Sequence, residues 1–402
     1  MIERYTDKNI KKIFSRKNRL DIFLNMQKEL VKYLSEKNID KIEENFSKID
    51  VVKLSEDAFC IEEEIHHEMA SFVDALEIQL PEYSGLIHRG LTSSDVLDTT
   101  FSLQIRECIE YTLKGVRILI ETFEIKKSKH KNILISGRTH GQVAEPLYIE
   151  HLFENYIEML ERCCKRLENA IEELPIKASG PVGNFSNINS EFETSYAIMK
   201  DMNQVTTTQV ISRDFYADVI HAICMLSSTY EKIAIDIRIY SQTGINEMAE
   251  GFSDNQKGSS AMPHKKNPIL SENITGLSRL VRSYIGPAYE NITLWGQRDM
   301  SHSSVERVIY EDAFSVINFM TKRMDKVIND LFIDEKNIDK NIENHKVSLS
   351  SHSMLVDLMK KGISRSSAYK KVQQYSLGKA KIKDLTLNDI TNIINLDRFR
   401  KK

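Results

Sequence analysis

Residues 96–124 read VLDTTFSLQIRECIEYTLKGVRILIETFE, with apolar side chains at Ile105, Ile109, Leu113, Val116, Ile120 and Phe123. Spacings of three and four residues place these six on one face of an α-helix. The same period runs through 146–174 (Ile149, Phe153, Tyr156, Leu160, Cys163, Leu167), 214–244 (Val219, Ile223, Leu226, Tyr230, Ile233, Ile237) and 303–331. In the last of these, Ser303 and Glu306 have the spacing of a capping box. Helices of about 30 residues are about 45 Å long, too long for a compact bundle of ordinary size. They predict an all-α protein whose centre is an elongated bundle that buries more apolar surface against copies of itself.

Outward from this core, residues 1–92 read as a small N-terminal helical domain, 93–341 as the central long-helix domain, and 342–402 as a shorter C-terminal helical domain. Helical spacing at 19–37 and a second helical stretch at 56–80 support the first of these. The run 126–131, with four lysines and a histidine, reads as a solvated connection. Ser136 to Gln142 is polar and rich in glycine, ahead of a helix that Pro146 would open.

The 402 residues are 41% hydrophobic and contain only 15 glycines and 7 prolines, which suits long helices and excludes disorder throughout. The 55 basic and 58 acidic side chains leave a net charge of −3, so the chain lacks the overall footprint of a nucleic-acid binder and any anion site is local. Five scattered cysteines without metal-ligand spacing read as free thiols in a reducing compartment. With no run of eighteen apolar residues, the expectation is a cytoplasmic protein that does not enter a membrane.

Residues 258–268, Gly-Ser-Ser-Ala-Met-Pro-His-Lys-Lys-Asn-Pro, fit neither a packed helix nor a strand. Backbone N–H groups, two hydroxyls and His264, Lys265 and Lys266 are concentrated there. Asn267-Pro268 reads as a cap and first helical position, with the helix continuing to residue 289 and its N-terminus favouring an anion. Taken alone, this could be a basic surface loop. The complete string, continued by Ser271-Glu272-Asn273, resembles the signature of the fumarase/aspartase superfamily, and within it the adenylosuccinate lyases.

That resemblance implies a central bundle of long helices, a homotetramer with active sites shared between subunits, and release of fumarate by β-elimination without a cofactor or metal. It implies site residues one by one. Ser259, the first serine of the pair, would be the base and His140, in Gly137-Arg138-Thr139-His140-Gly141, the general acid. Lys265 and Asn267 would hold the developing charge, and Glu272 would orient His140. His67 is similar to a catalytic assistant near the substrate phosphate, which an Arg-Tyr pair, here Arg4-Tyr5, would hold. Further substrate contacts map to His88, Thr92, Ser93, Thr139, Gln209, Arg298, Ser303 and Arg307.

The chain departs from the family beside His67, where His66 stands for an arginine and Glu68 for an aspartate, both carried over as substrate-binding positions. Adjacent residues on one helix point about 100° apart, so His66 and His67 are not a metal clip. A serine hydroxyl is a weak base, so Ser259 must be held near its alkoxide form by Lys265 and neighbouring N–H groups in a closed site. Residues 253–266 are accordingly expected to close over substrate. The substrate expected from the resemblance is adenylosuccinate, together with the related succinylated carboxamide ribotide of purine synthesis. Argininosuccinate lyase, aspartase and fumarase remain alternatives, as does a helical scaffold without activity.

Overall fold

The computed structural model describes residues 1–252 and 258–379. The first part of the expected lid, 253–257, and the basic end Arg398 to Lys402 lie outside the described residues. The fold is all-α, with three two-stranded sheets as its only described strand pairings. The long helices run Ser93–Lys129, Ile149–Glu173, Asp214–Tyr240 and Ser301–Asn329. Each begins within three residues of its expected start.

The described residues form two compact units: residues 1–116, 162–228 and 277–321, and those within 117–161, 229–276 and from 322 onward. In the first, helices Arg16–Leu34, Val51–Ile65 and Glu68–Gln79 share a core that includes Leu20, Phe23, Leu30, Phe72, Leu76 and Tyr83. Phe101, Tyr216 and Tyr310 form an aromatic cluster with ring centres 4.8 to 6.4 Å apart. In the second unit Phe123 packs edge-on against Phe153 at 5.9 Å. Its C-terminal helices Lys346–Lys360 and Arg365–Ser376 bury Met354, Leu358, Ala368 and Val372.

Several local expectations are corrected. The stretch 56–80 is not one helix: His66 ends Val51–Ile65 in a left-handed conformation (φ 53°), and His67 starts the next helix. Lys126 is not solvated but buried at the end of its helix, its ammonium donating to the Leu331 carbonyl at 3.0 Å. Pro146 opens no helix, because Leu134–Thr139 and Gln142–Tyr148 form an antiparallel hairpin in which it pairs with Ser136. In a two-stranded sheet each strand keeps an outer edge, where a proline costs no ladder bond. The helix after Asn267-Pro268 breaks at Tyr284, giving Ile269–Ser283 and Ile285–Glu290.

Candidate active site

The hairpin turn of the second unit is His140-Gly141, with φ of 53° and 75°. Two positive φ values are what a two-residue hairpin turn needs to match strand twist, and histidine in that region is uncommon. The turn lifts an exposed imidazole beyond the sheet, with Thr139 beside it. Below it, a bulge between Ser136 and Arg138 brings the Gly137 backbone so close to Glu145 that a Cβ would lie 2.4 Å from that residue's carbonyl oxygen. Arg138 anchors the hairpin by two bonds, 2.7 and 2.8 Å, to the fully buried Glu247, which also accepts from Asn341 at 2.9 Å.

In the same unit the loop around Ser259 is shaped by glycine and asparagine. A Cβ on Gly258 would lie 1.9 Å from the Lys265 carbonyl oxygen, so only glycine lets the two strands of the loop meet. Asn267 does not cap the next helix as expected; its amide donates to the Gly258 carbonyl at 2.9 Å. The helix N-terminus already has an anion, for Glu250 accepts from the N–H groups of Leu270 and Ser271 at 3.1 and 2.5 Å. Ser259 Oγ accepts from Ala261 N–H at 3.3 Å and Met262 N–H at 3.1 Å. Two donors converging on one oxygen favour its anionic form. Lys265 and Glu272 are exposed. Among the described residues no hydrogen bond joins Ser259 to Lys265, or His140 to Glu272.

The first unit gathers most of the expected substrate contacts. His67 caps Glu68–Gln79 through Nδ1, which accepts from Ala70 N–H at 3.1 Å, leaving Nε2 to carry the proton of the neutral ring. Glu68 is paired with Arg19 at 2.7 Å and lies 4.0 Å from Arg307. A guanidinium from another helix thus stands beside the segment that has histidine at 66, a position that sequence reading gave no reason to examine. Burial pushes His88 below the usual imidazole range, with Asp95 opposing and His67 adding to the shift, so these three groups share one electrostatic environment.

Thr92 and Ser93 open the long helix Ser93–Lys129. Thr92 N–H donates to Asp95 Oδ2 at 2.7 Å, and Asp95 Oδ1 takes the Lys177 ammonium and the N–H groups of Ser179 and Gly180. Both Asp95 and Lys177 are wholly buried. Gln209 accepts from Arg298 Nη1 at 3.4 Å, and Thr208 Oγ1 donates to the Gln297 carbonyl at 2.8 Å. A cleft of about 170 Å³ lies between 206–213 and 292–297. Arg4 lies in the short helix Glu3–Tyr5, and the Tyr5 ring stands edge-on to Phe319 at 5.0 Å.

Ser303 and Glu306 do not form a capping box. The helix begins at Ser301, whose N–H and hydroxyl bond Asp299; these bonds, the hydroxyl's foremost, hold that carboxyl down at about 2. Glu306 turns instead toward the buried Arg213, 3.0 Å from its Nε. Burial pushes Glu306 up to about 7, Asp98 adding to the shift and Arg213 opposing it, while burial and then Arg213 hold His302 down at about 4. Asp98, which accepts from both terminal nitrogens of Arg213 at 2.7 and 3.0 Å, is its principal counter-ion.

The two shifts have opposite consequences. Glu306 binds its proton more tightly folded than unfolded, so its contribution to stability is complete below about pH 4.5 and lost as pH rises through about 7. His302 binds its proton less tightly folded, so its contribution is complete above about 6.5 and lost as pH falls through about 4. Each amounts to roughly 3 kcal/mol, and they offset each other between about pH 4.5 and 6.5. Relative to wild type, Glu306→Gln should therefore show melting temperatures that climb with pH across that window, and His302→Gln melting temperatures that fall. Thermal-shift profiles of the two variants parallel to wild type would refute the assignment.

Residues 16–283 match the protein family described as Lyase. The chain is 35% identical over 387 residues to a protein named adenylosuccinate lyase from Helicobacter pylori (strain ATCC 700392 / 26695), covering 94% of this chain and 86% of that one. A Thermotoga maritima protein of the same name is also 35% identical, over 94% of this chain and 88% of its own. One from Staphylococcus saprophyticus is 33% identical over 99% and 95%. Among solved structures, a fumarate lyase from Mesorhizobium sp. BNC1 superposes with a TM-score of 0.80 at 17% identity, covering 97% of this chain and 90% of that one. A 3-carboxy-cis,cis-muconate lactonizing enzyme from Pseudomonas putida gives 0.79 at 19% identity, covering 93% and 86%. The chain belongs to this lyase family, within the fumarase/aspartase superfamily. Among the described residues no helix is long and apolar enough to cross a membrane.

Proposed function

We propose that this chain is an adenylosuccinate lyase, cleaving adenylosuccinate to AMP and fumarate and the succinylated aminoimidazole carboxamide ribotide to its carboxamide and fumarate. The observation that carries the reading is Ser259 Oγ receiving two backbone N–H bonds in a loop held by Gly258 and Asn267. The names of relatives at 33 to 35% identity over nearly the whole chain support the substrate.

The reaction needs a proton removed from the carbon next to a carboxylate and another given to the departing nitrogen. In the proposed mechanism Ser259, as alkoxide, takes the proton, and the negative charge spreads onto the adjacent carboxylate. Lys265, Asn267 and loop N–H groups hold that charge where it develops. The C–N bond then breaks, its electron pair staying on nitrogen, which His140 protonates; Glu272 keeps the imidazole oriented. His67 assists at the phosphate side, where Arg4 and Tyr5 hold the phosphate. His66, Glu68, His88, Thr92, Ser93, Thr139, Gln209, Arg298, Ser303 and Arg307 complete the substrate contacts.

The proposal includes a cytoplasmic homotetramer with active sites shared between subunits, and domains at 1–92, 93–341 and 342–402. A single assay tests the activity: ultraviolet absorbance of purified protein with adenylosuccinate, argininosuccinate, aspartate and malate in turn. Change with adenylosuccinate alone is expected. Turnover of another of the four instead would assign a different lyase, and inertness toward all would leave the helical scaffold.

A further inference from the structure

We propose that Arg213, which no substrate contact explains, is a positioning residue that sets the three nucleotide-contacting segments of the first unit in register. This rests on the adenylosuccinate lyase reading above. Arg213 directly precedes the helix Asp214–Tyr240 and is 3% exposed. All five of its N–H donors have acceptors. Nη1 donates to Asp98 Oδ2 at 2.7 Å and to the Ile211 carbonyl at 2.6 Å. Nη2 donates to Asp98 Oδ1 at 3.0 Å and Glu306 Oε2 at 3.3 Å, and Nε to Glu306 Oε1 at 3.0 Å.

Each partner belongs to a different stretch that carries substrate-binding positions. Asp98 lies in the opening turns of the helix that begins beside Thr92 and Ser93, and it also accepts from Ile211 N–H at 2.8 Å, two residues beyond Gln209. Glu306 lies three residues after Ser303 and next to Arg307 on the helix Ser301–Asn329. One planar fork therefore fixes Thr92-Ser93, Gln209 and Ser303-Arg307 relative to each other. A lysine has the charge but not the geometry, since an ammonium cannot face both carboxylates in two fixed directions. Burying one cation with two acids is a poor way to gain stability alone, as the desolvation of all three opposes it. Fixing register accounts for its presence better.

The test measures AMP binding by calorimetry and the kcat and KM for adenylosuccinate, at a temperature where each protein is folded, in wild type, Arg213→Lys and Glu306→Gln. Expected is an AMP Kd raised about tenfold or more in Arg213→Lys and several-fold in Glu306→Gln, with KM rising in parallel and kcat changing far less. Glu306→Gln keeps the shape and an acceptor oxygen, so it answers even where Arg213→Lys fails to fold. An AMP Kd within about twofold of wild type in the folded variants, whatever their melting temperatures, overturns the positioning role and leaves a structural one. A wild-type protein that neither binds AMP nor turns over adenylosuccinate overturns the functional reading, and the inference with it.

Discussion

Ser259→Ala and His140→Gln proteins, each inactive alone, are expected to recover about one quarter of wild-type activity when mixed in equal amounts and allowed to exchange subunits. The fraction follows from the proposed tetramer. If a site takes its serine from one subunit and its histidine from another, each is intact half the time, and both together a quarter of the time. Ser259→Ala removes the base and should lower kcat by about 10³-fold or more, with AMP binding within a few-fold of wild type. His140→Gln retains a polar side chain of similar size but cannot protonate the leaving nitrogen, so its loss should be similar. The Gly258 close approach and the Asn267 bond do not involve the serine hydroxyl, so the loop has reason to persist in the alanine variant. Exchange confirmed by mass spectrometry with no return of activity would rule out sites shared in this way. Serine and histidine drawn from the same subunit would leave every site with one defective residue, and so give that null result.

The long helices were legible because their signal is local: a repeat of three and four residues sustained over 96–124 already specifies a buried face, and the helix Ser93–Lys129 buries Ile105, Ile109, Val116 and Phe123 completely. The hairpin 134–148 was missed because proline before an apolar run is a fair helix start, and only pairing with 134–139 gives it another role. The break at His66 was missed for a related reason. Apolar spacing on both sides of it is helical, and a single left-handed residue leaves little trace in a pattern. Polar motifs around Ser259 and His140 stood out as strings. What holds such strings in place did not, since Lys177 and Asp95 are 82 residues apart and Arg213 and Asp98 115. Charged residues at those separations look like solvated surface until the fold buries them.

Lys177→Met is expected to loosen the backbone at Thr92 and Ser93 from a position that touches no substrate in the proposed mechanism. Removing one partner of a wholly buried ion pair costs about 3–5 kcal/mol, because the other charge is left without compensation. Amide exchange at Ser179 and Gly180, whose N–H groups bond Asp95 Oδ1, should then accelerate by about two to three orders of magnitude. A simple ion pair would be repaired by making both residues apolar, and Lys177→Met with Asp95→Leu would restore protection. That repair should fail here. Asp95 accepts three backbone donors, from Thr92, Ser179 and Gly180, and without the carboxylate each is stranded at about 1–3 kcal/mol. Asp95→Asn with Lys177→Met keeps an acceptor oxygen without a charge, and so should recover more protection than the leucine double variant. Equal recovery in the two doubles would show that charge pairing, rather than the carboxylate's hold on three N–H groups, fixes the entry to the long helix. Unchanged exchange in Lys177→Met itself would remove the pair from any role there.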